Sequence, residues 1–281
     1  MKVRVLGTAA GGGLPQWNCA CATCAAARRA GVGRDQDCLA VSGDGRSWYL
    51  LNASPDLRGQ LAAVPELAPG PGRRETPLRG VLLCTAELDH TIGLLSLREA
   101  TSLAVYATEP VLAALSTGFP VRQILAPYTD VTWHEVVPGE PVTLQGGLAA
   151  EAFVVGAKPP RYAAAGGTGW VVAYRIRDRA GGTLVYAPCL PDVDDAFAAA
   201  VEGAGLVLLD GTFLHDDEMT RAAGGGRTAT AMGHVPVEKS LSLLPRESGT
   251  RYVYTHLNNT NPLAIDADGL DVAEDGQAFE L

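Results

Sequence analysis

Three cysteines lie within six residues near the start of the chain, in the segment Cys19-Ala20-Cys21-Ala22-Thr23-Cys24. Thiolates at this spacing can converge on one tetrahedral ion, and zinc takes four donors and accepts soft sulfur ligands. Such a cluster in a large intracellular protein is more often a metal site than part of a disulfide framework. The sequence therefore predicts a structural Zn²⁺ held by Cys19, Cys21 and Cys24, which fastens the glycine-rich loop before them.

The sequence leaves the fourth donor of this zinc site open. A histidine or Cys38 is the first chemical choice, because structural zinc is usually held by nitrogen and sulfur. Asn259 is the weaker alternative, because an amide oxygen is a poor zinc donor.

A second set of candidate ligands is dispersed along the chain. Asp89 and His90, Asp210, and His256 each follow a short apolar run, while His234 lies in a Met-Gly-His segment. Two or three imidazoles with one or two carboxylates suit iron, zinc or manganese. A single histidine is more often a hydrogen-bonded structural residue, but their joint placement after predicted strands favours a shared metal site.

These ligands need a scaffold of strands and helices. Short runs rich in Val, Leu and Tyr predict strands at Val3–Leu6, Ser47–Asn52, Gly80–Cys84, Leu103–Tyr106, Val142–Leu144, Ala150–Val155, Trp170–Ile176, Thr183–Ala187, Leu206–Leu209 and Tyr252–Thr255. Helices are predicted between them at Pro55–Val64, Thr91–Glu99, Pro110–Ser116, Asp192–Val201, Val237–Leu244 and Pro262–Asp266. This alternation favours an α/β fold with two sheets covered by helices. We expect one domain over residues 1–281, with ligands gathered where strands end.

Composition and charge limit the class of partner. The chain has 281 residues, of which 47% are hydrophobic and 19% charged, so it can bury a sizeable core. The formal net charge of −9 argues against nucleic-acid binding, which needs clustered Lys and Arg. No run approaches the roughly 18–20 apolar residues that cross a bilayer, and the apolar run at Val3–Leu6 is shorter than we expect of a secretory signal. We therefore expect a cytoplasmic protein without membrane contact; a homodimer stays open.

Several segments resemble the PqqB family of pyrroloquinoline quinone biosynthesis, which belongs to the metallo-β-lactamase superfamily. They follow one another in the family's order: Gly7–Cys21, Asn52–Leu57, Leu88–Glu99, Ser116–Val121 and His256–Pro262. The glycine loop with its cysteines and the His-Leu-Asn-Asn-Thr-Asn-Pro segment are the most specific. The resemblance implies an αββα sandwich, in which two mixed sheets are flanked by helices.

The metal motif of that superfamily is incomplete in this chain. The usual His-x-His-x-Asp-His stretch corresponds to Thr85–His90, where Thr85 and Glu87 replace the first two histidines. The region near Gly167–Trp170 also lacks the histidine that hydrolases of this fold place there. The PqqB family likewise lacks the full motif, so an ordinary dizinc hydrolase site is not expected.

The resemblance also bears on the cysteine cluster. A related phosphodiesterase of the phosphonate pathway has a similar Cys-x-Cys-x-x-Cys zinc loop. Its fourth ligand is a histidine three positions after the last catalytic histidine. Asn259 stands at the matching position here and is the residue that the resemblance implies beside the cysteines.

For the dispersed ligands, the resemblance implies an iron-dependent oxygenase that hydroxylates the tyrosine ring of a Glu-Tyr unit. The partner would then be a small-molecule or dipeptide substrate. Active-site Fe²⁺, with Zn²⁺ or Mn²⁺ as alternatives, would be held by His90, His256 and an aspartate, either Asp89 or Asp210.

Further residues of this site are given roles in catalysis or substrate binding. His234 is expected as an additional ligand or an acid–base group, because imidazole titrates near neutrality. Glu87 would bind metal or substrate beside Asp89. Arg98 is expected to pair with a substrate carboxylate, unless Arg98 and Glu99 are only a surface pair.

Two other functions remain open at this stage. A metallohydrolase that cleaves a phosphoester, lactone or peptide bond would need two adjacent metals, with Glu87 and Asp210 partly replacing the missing histidines. A non-catalytic carrier of a quinone intermediate would bind its ligand without turnover.

Overall fold

The computed structural model describes residues 1–163, 166–245 and 249–281, including every side chain in them except that of Ala223. The strands are β1 Lys2–Gly7, β2 Cys38–Ser42, β3 Trp48–Leu51, β4 Leu78–Leu82, β5 Ser102–Ala107, β6 Asp130–Glu135, β7 Pro141–Leu144, β8 Leu148–Gly156, β9 Val171–Asp178, β10 Thr183–Ala187, β11 Leu206–Asp210, β12 Arg251–Thr255 and β13 Ala278–Glu280. The α-helices are α1 Ala22–Ala30, α2 Leu57–Ala63, α3 Leu88–Thr91, α4 Glu109–Ala114, α5 Val121–Leu125, α6 Asp195–Val201, α7 Glu218–Ala223, α8 Ala229–Met232 and α9 Val237–Leu243. Short 3₁₀ helices cover Pro65–Leu67, Ile92–Glu99 and Pro262–Ala264.

The strands form two mixed sheets. The first has the order β13-β1-β2-β3-β4-β5-β6, antiparallel as far as β3 and parallel from β3 to β6. The second has the order β12-β11-β10-β9-β8-β7, antiparallel from β7 to β10 and parallel from β10 to β12. The parallel strands bring several carboxyl ends to one edge of each sheet.

Hydrophobic packing orders these elements into four layers. Between the sheets, Leu82 of the first sheet belongs to the same buried cluster as Tyr174 of the second. A second cluster joins the first sheet to the helices outside it, through residues such as Leu94. A third joins the second sheet to α1, α6 and α9, with Phe197 fully buried. The predicted αββα sandwich of two mixed sheets flanked by helices is therefore confirmed.

Many strands are covered on both faces, which explains why their sequences are continuously apolar. All five residues of β2 and of β11 are buried, because helices or the opposite sheet cover both faces. Strands of this kind read as continuous apolar runs and not as alternating patterns. Each of the ten predicted apolar runs therefore coincides with a strand, whereas β2, β6 and β13 lie outside those runs.

The helices agree less well with the sequence prediction. Thr91–Glu99 was predicted as one helix, but α3 ends at Thr91 and a 3₁₀ helix covers Ile92–Glu99. Its buried residues Leu94 and Leu97 are three positions apart, the repeat of a 3₁₀ helix. Helices α1, α5, α7 and α8 lie outside the predicted ranges, and α3 shares only Thr91 with one of them. Within the described ranges, no helix has the length and apolar character needed to span a membrane.

Candidate metal centre

Residues that follow strands of both sheets meet at one edge of the sandwich. Asp89 and His90 lie on α3, shortly after β4. Cys189, Asp210 and His256 follow or end β10, β11 and β12, which are neighbours in the second sheet. Ligand sites in α/β folds form where strands end, and this edge collects one set of donors from each sheet.

A close backbone contact fixes the position of His90. Its carbonyl accepts a hydrogen bond of 2.7 Å from the amide of Ala53, and the Gly93 amide donates to the Ala53 carbonyl at 2.9 Å. A Cβ atom on Gly93 would lie 2.2 Å from the Ser54 carbonyl oxygen, so only glycine allows this approach. The Asp-His-Thr-Ile-Gly sequence therefore both carries the ligands and seats them against the end of β3.

The Asp-Gly-Thr segment after β11 is held against the end of β12 in the same way. The Gly211 amide donates to the Thr255 carbonyl at 2.7 Å, and a Cβ at Gly211 would lie 2.8 Å from that oxygen. The Asn261 side chain donates to the Gly211 carbonyl at 2.7 Å. His256 itself has a φ of 59°, an uncommon conformation for a residue with a side chain. These contacts bring Thr212 within hydrogen-bonding distance of His256.

Threonine hydroxyls orient the two buried imidazoles. Thr85 Oγ1 lies 2.9 Å from His90 Nδ1, and Thr212 Oγ1 lies 2.9 Å from His256 Nδ1. The Nε2 atoms of both histidines are buried and have no hydrogen-bond partner within the described part of the chain. Buried polar atoms are normally satisfied, so two orphaned imidazole nitrogens at one site call for a ligand. A metal ion bound at Nε2, with Nδ1–H donated to an outer oxygen, fits this geometry.

Cys189 is the ligand candidate that the sequence reasoning missed. Single donor atoms of His90, Cys189 and His256 lie within 4.8 Å of one another. Burial raises the pKa of the Cys189 thiol well above its usual range, so a bound cation is what would favour its thiolate form. The signal was present in the sequence, because Cys189 comes two residues after the predicted strand Thr183–Ala187.

Asp210, His234 and His256 form a second group with donor atoms within 4.8 Å. Asp210 is fully buried and accepts hydrogen bonds from the amides of Leu190 (2.7 Å) and Thr212 (2.9 Å). Its Oδ2 also lies 2.7 Å from His234 Nδ1. The His234 side chain is 15% exposed, so it can exchange protons with a ligand in the cavity while Asp210 holds its ring.

The charges at the site depend on each other. Burial opposes ionisation of Asp89, but the charges of His90 and His256 outweigh it and lower the pKa of this carboxyl. Burial lowers the pKa of His90 to about 4. Burial also opposes the charged form of His256, but nearby carboxylates, Asp89 among them at 3.5 Å, raise its pKa to about 9. Without a metal, the carboxylates hold a proton on His256; a divalent cation can take its place.

Glu87 separates two cavities beside the cluster. One, of about 410 Å³, is lined by Asp89, Arg161 and apolar residues including Ile92. The other, of about 60 Å³, is lined by Cys189 and His234 among others. Burial and the charge of Asp89 raise the pKa of Glu87. The predicted catalytic residues Glu87, Asp89 and His234 therefore all face open space beside the candidate ligands.

The cysteine cluster forms a separate site on α1 and the loop before it. Cys21 caps α1, and the sulfur atoms of the three cysteines lie within 4.8 Å of one another. The Cys21 amide, which donates to Cys19 Sγ, lowers the pKa of the Cys19 thiol. Asn259 lies beside the cysteines. Its backbone carbonyl oxygen is 3.5 Å from Cys21 Sγ, and its side-chain Nδ2 is 3.3 Å from Cys24 Sγ.

The two other candidates for the fourth donor are not at this cluster. Cys38 lies in β2, where its thiol is buried against the Asn52 carbonyl oxygen at 3.3 Å. No histidine joins the three cysteines within the described ranges. Of the three alternatives for the fourth donor, Asn259 is the one that lies beside the cysteines among the described residues, and its role as a ligand stays a prediction.

Arg98 does not face the metal centre. Its guanidinium is exposed, pairs with Glu99 at 3.6 Å and donates to the Leu95 carbonyl. Arg98 and Glu99 thus form the surface pair that the sequence left as the alternative to a substrate contact.

Comparison with known proteins agrees with this architecture. Residues 47–257 match the Beta-lactamase superfamily domain. The chain is 39% identical to a coenzyme PQQ synthesis protein B of Methylococcus capsulatus, over all of both chains. A crystal structure of Zn²⁺-bound PqqB from Methylobacterium extorquens has a TM-score of 0.88 and 36% identity, covering all of both chains. A diphosphatase of the PhnP family, at 20% identity and a TM-score of 0.74, covering 100% of this chain and 97% of its own, shares the fold.

Proposed function

The chain belongs to the coenzyme PQQ synthesis protein B family within the β-lactamase superfamily, and we propose that it is a metal-dependent oxygenase that hydroxylates a tyrosine-derived substrate, a Glu-Tyr unit, on the route to that cofactor. One observation supports the proposal above all. Among the described residues, the buried Nε2 atoms of His90 and His256 have no hydrogen-bond partner, although Asp89 lies 3.5 Å from that of His256, and the cluster also offers a thiol and carboxylates. Asp89, which lies 3.5 Å from His256, lines a cavity of about 410 Å³ that is large enough for a ring.

The donor set fits ferrous iron. His90, His256, Cys189 and Asp89 would hold the ion, and a site with few protein ligands leaves positions for dioxygen and substrate. When bound, iron supplies the activation of dioxygen, and one oxygen atom enters the aromatic C–H bond while the other leaves as water. Reduction of the second oxygen atom to water needs two protons and two electrons, and an external reductant such as ascorbate would supply the electrons.

The chain's own residues supply the proton transfers and the orientation of the substrate. His234, held through Nδ1 by Asp210, can take the phenol proton of a tyrosine at its other ring nitrogen. Glu87, whose pKa is raised by burial, can exchange a proton on the other side of the same opening. The apolar residues Leu88 and Ile92, with Pro55, line the larger cavity and would pack against the substrate ring.

The cysteine cluster suits a structural Zn²⁺ ion. Cys19, Cys21 and Cys24 supply three sulfur donors, and Asn259 is the adjacent residue that can complete the set through an oxygen. An ion there would join α1 to the segment that follows His256. Its role would be to stabilise the loop beside the active site.

The test is anaerobic reconstitution with ferrous iron, followed by oxygen, ascorbate and a Glu-Tyr dipeptide, with mass spectrometry of the products. The proposal predicts a product heavier by one or two oxygen atoms. His256→Ala should abolish it, and His134→Ala, an exposed histidine on β6, should not. An unchanged dipeptide, with iron bound at the His90–His256 cluster, would contradict the proposed reaction.

A two-metal hydrolase is the second candidate, and one observation favours it. The group of His90, Cys189 and His256 shares His256 with the group of Asp210 and His234, as expected for two adjacent ions. Metal analysis separates the two functions. One ion beyond that of the cysteine cluster fits the oxygenase, and two fit the hydrolase.

A further inference from the structure

Two cations stand at the opening of the metal centre. Lys158 lines the smaller cavity together with Cys189 and His234, and Arg161 lines the larger one together with Asp89. Both side chains are exposed. They are the cationic residues among the described ones that line these two cavities, in a chain whose net charge is −9. The site therefore carries local positive charge, although the protein as a whole is acidic.

Packing fixes the segment that carries these cations. The Tyr162 hydroxyl donates to the Ala86 carbonyl, next to the metal-binding stretch. The Tyr162 ring lies edge-on to Phe119 at 6.2 Å, and a Cβ atom on Gly118 would lie 2.7 Å from it. Lys158 Nζ donates to the Met232 carbonyl at 2.6 Å, two residues before His234. The segment is therefore tied to both sides of the site.

Among the described residues, the two cations have few partners. Arg161 forms no hydrogen bond or ion pair with any described residue, and Lys158 contacts only a backbone carbonyl. Burial raises the pKa of Glu87, and the charges of Lys158 and Arg161 partly offset this shift. Glu87 forms no ion pair with either cation. Two cations beside a buried site, whose N–H groups are still available as hydrogen-bond donors, are suited to bind an anionic ligand.

We propose that Lys158 and Arg161 bind a carboxylate of the substrate and so select an amino-acid or peptide-like molecule with a free acid group. Arg161 presents a guanidinium that can hold a carboxylate through two parallel bonds, while the apolar wall of the same cavity takes the aromatic ring. Lys158 lies across Glu87 and suits a second carboxylate. The substrate class follows from the proposed function, but the recognition of the acid group can be tested without turnover.

The experiment measures binding to the zinc-loaded full chain by calorimetry. N-acetyl-tyrosine and N-acetyl-tyrosinamide have the same ring and differ in the free carboxylate. The wild-type chain should bind the acid more tightly than the amide. Arg161→Met should weaken binding of the acid by about tenfold or more and change binding of the amide by less than about twofold, as expected for a lost charge-assisted pair. Lys158→Met should weaken the binding of a dicarboxylate such as Glu-Tyr more than the binding of N-acetyl-tyrosine, which has one carboxylate.

Arg29→Met is the matched control, because Arg29 lies exposed on α1 and its loss changes the net charge equally. It should leave both affinities unchanged. Equal affinity of the wild type for acid and amide, or an equal loss of both in Arg161→Met, would overturn the proposal. Failure of oxygen incorporation would instead overturn the proposed reaction, because the acid-to-amide ratio does not depend on turnover.

Discussion

His90 and His256 come from different sheets, yet their rings meet edge to face with centroids 5.2 Å apart. His90 follows β4 of the first sheet, and His256 follows β12 of the second. Neither Nε2 atom has a hydrogen-bond partner within the described ranges. A metal ion between them would link the two halves of the sandwich as well as carry the chemistry.

Thr212→Val should weaken metal binding without removing a ligand. The Thr212 hydroxyl lies 2.9 Å from His256 Nδ1, so valine removes the group that orients this ring, whereas Asp210 still holds the His234 ring. Loss of such an outer partner typically lowers metal affinity by about 10–100-fold. Competition with a chelating dye measures the change. Thr183→Val, a buried threonine at the start of β10, should bind like the wild type, and an equal loss there would refute the positioning role.

Cys189→Ser should change the spectrum of the active-site metal. With Co²⁺, the wild type should show sulfur-to-metal absorption from the cysteine cluster first and from Cys189 with the next equivalent. The variant should keep the first signal and lose the second. Cys84→Ser, in the core between the sheets, is the control and should keep both. A variant spectrum identical to the wild type would remove Cys189 from the ligand set.

Cys24→Ser should lose one equivalent of zinc and keep the metal of the active site. The cysteine cluster and the His90–His256 cluster are separate donor groups, so one can be emptied while the other stays intact. Elemental analysis gives the stoichiometry, and thermal unfolding should show a lower Tm because bound metal stabilises the folded state. Cys38→Ala should retain all zinc, since Cys38 lies in β2; loss of zinc there would restore it as a ligand.

Asp37→Asn should change how stability depends on pH. Asp37 is buried and accepts hydrogen bonds from the hydroxyls of Tyr186 and Thr255. Burial raises its pKa from 3.8 to about 6, although the charge of His256 and these two bonds oppose the shift. Between those pH values the folded chain binds more protons than the unfolded chain, so stability falls as the pH rises.

From pH 4 to pH 7, the free energy of unfolding of the wild type should therefore fall by up to about 3 kcal/mol because of this carboxyl. Asp37→Asn should not show this decrease. Urea unfolding of both proteins across that range, at equal metal loading, measures the difference. If the two curves run parallel, folding does not raise the pKa of Asp37.

The sequence predicted the scaffold because its strands are short and apolar. Runs such as Leu206–Leu209 are buried on both faces, so their composition alone locates them. Helix α1 was missed, although Ala22–Ala30 is rich in alanine, a strong helix former, and ends at Gly31 in the left-handed conformation. The cysteines of that segment had suggested a metal loop, but Cys24 lies on the helix itself.

The ligand set was less accessible from the sequence. Asp89, His90, Asp210 and His256 were predicted as ligands because each follows a predicted strand. Cys189 follows a strand in the same way, but a lone cysteine carries no pattern, and only the fold brings it to His90 across 99 positions of sequence. The place of Asn259 beside the cysteines likewise depends on a contact between distant segments.

The most direct test of the central claim is the source of the oxygen atom in the product. The iron-loaded chain is supplied with a Glu-Tyr dipeptide, ascorbate and ¹⁸O₂ in ordinary water, with His256→Ala alongside. Our account predicts ¹⁸O in the tyrosine ring for the wild type and none for the variant. Products that carry oxygen only from water, seen in a parallel reaction in H₂¹⁸O, would contradict it and point to hydrolysis by a two-metal site.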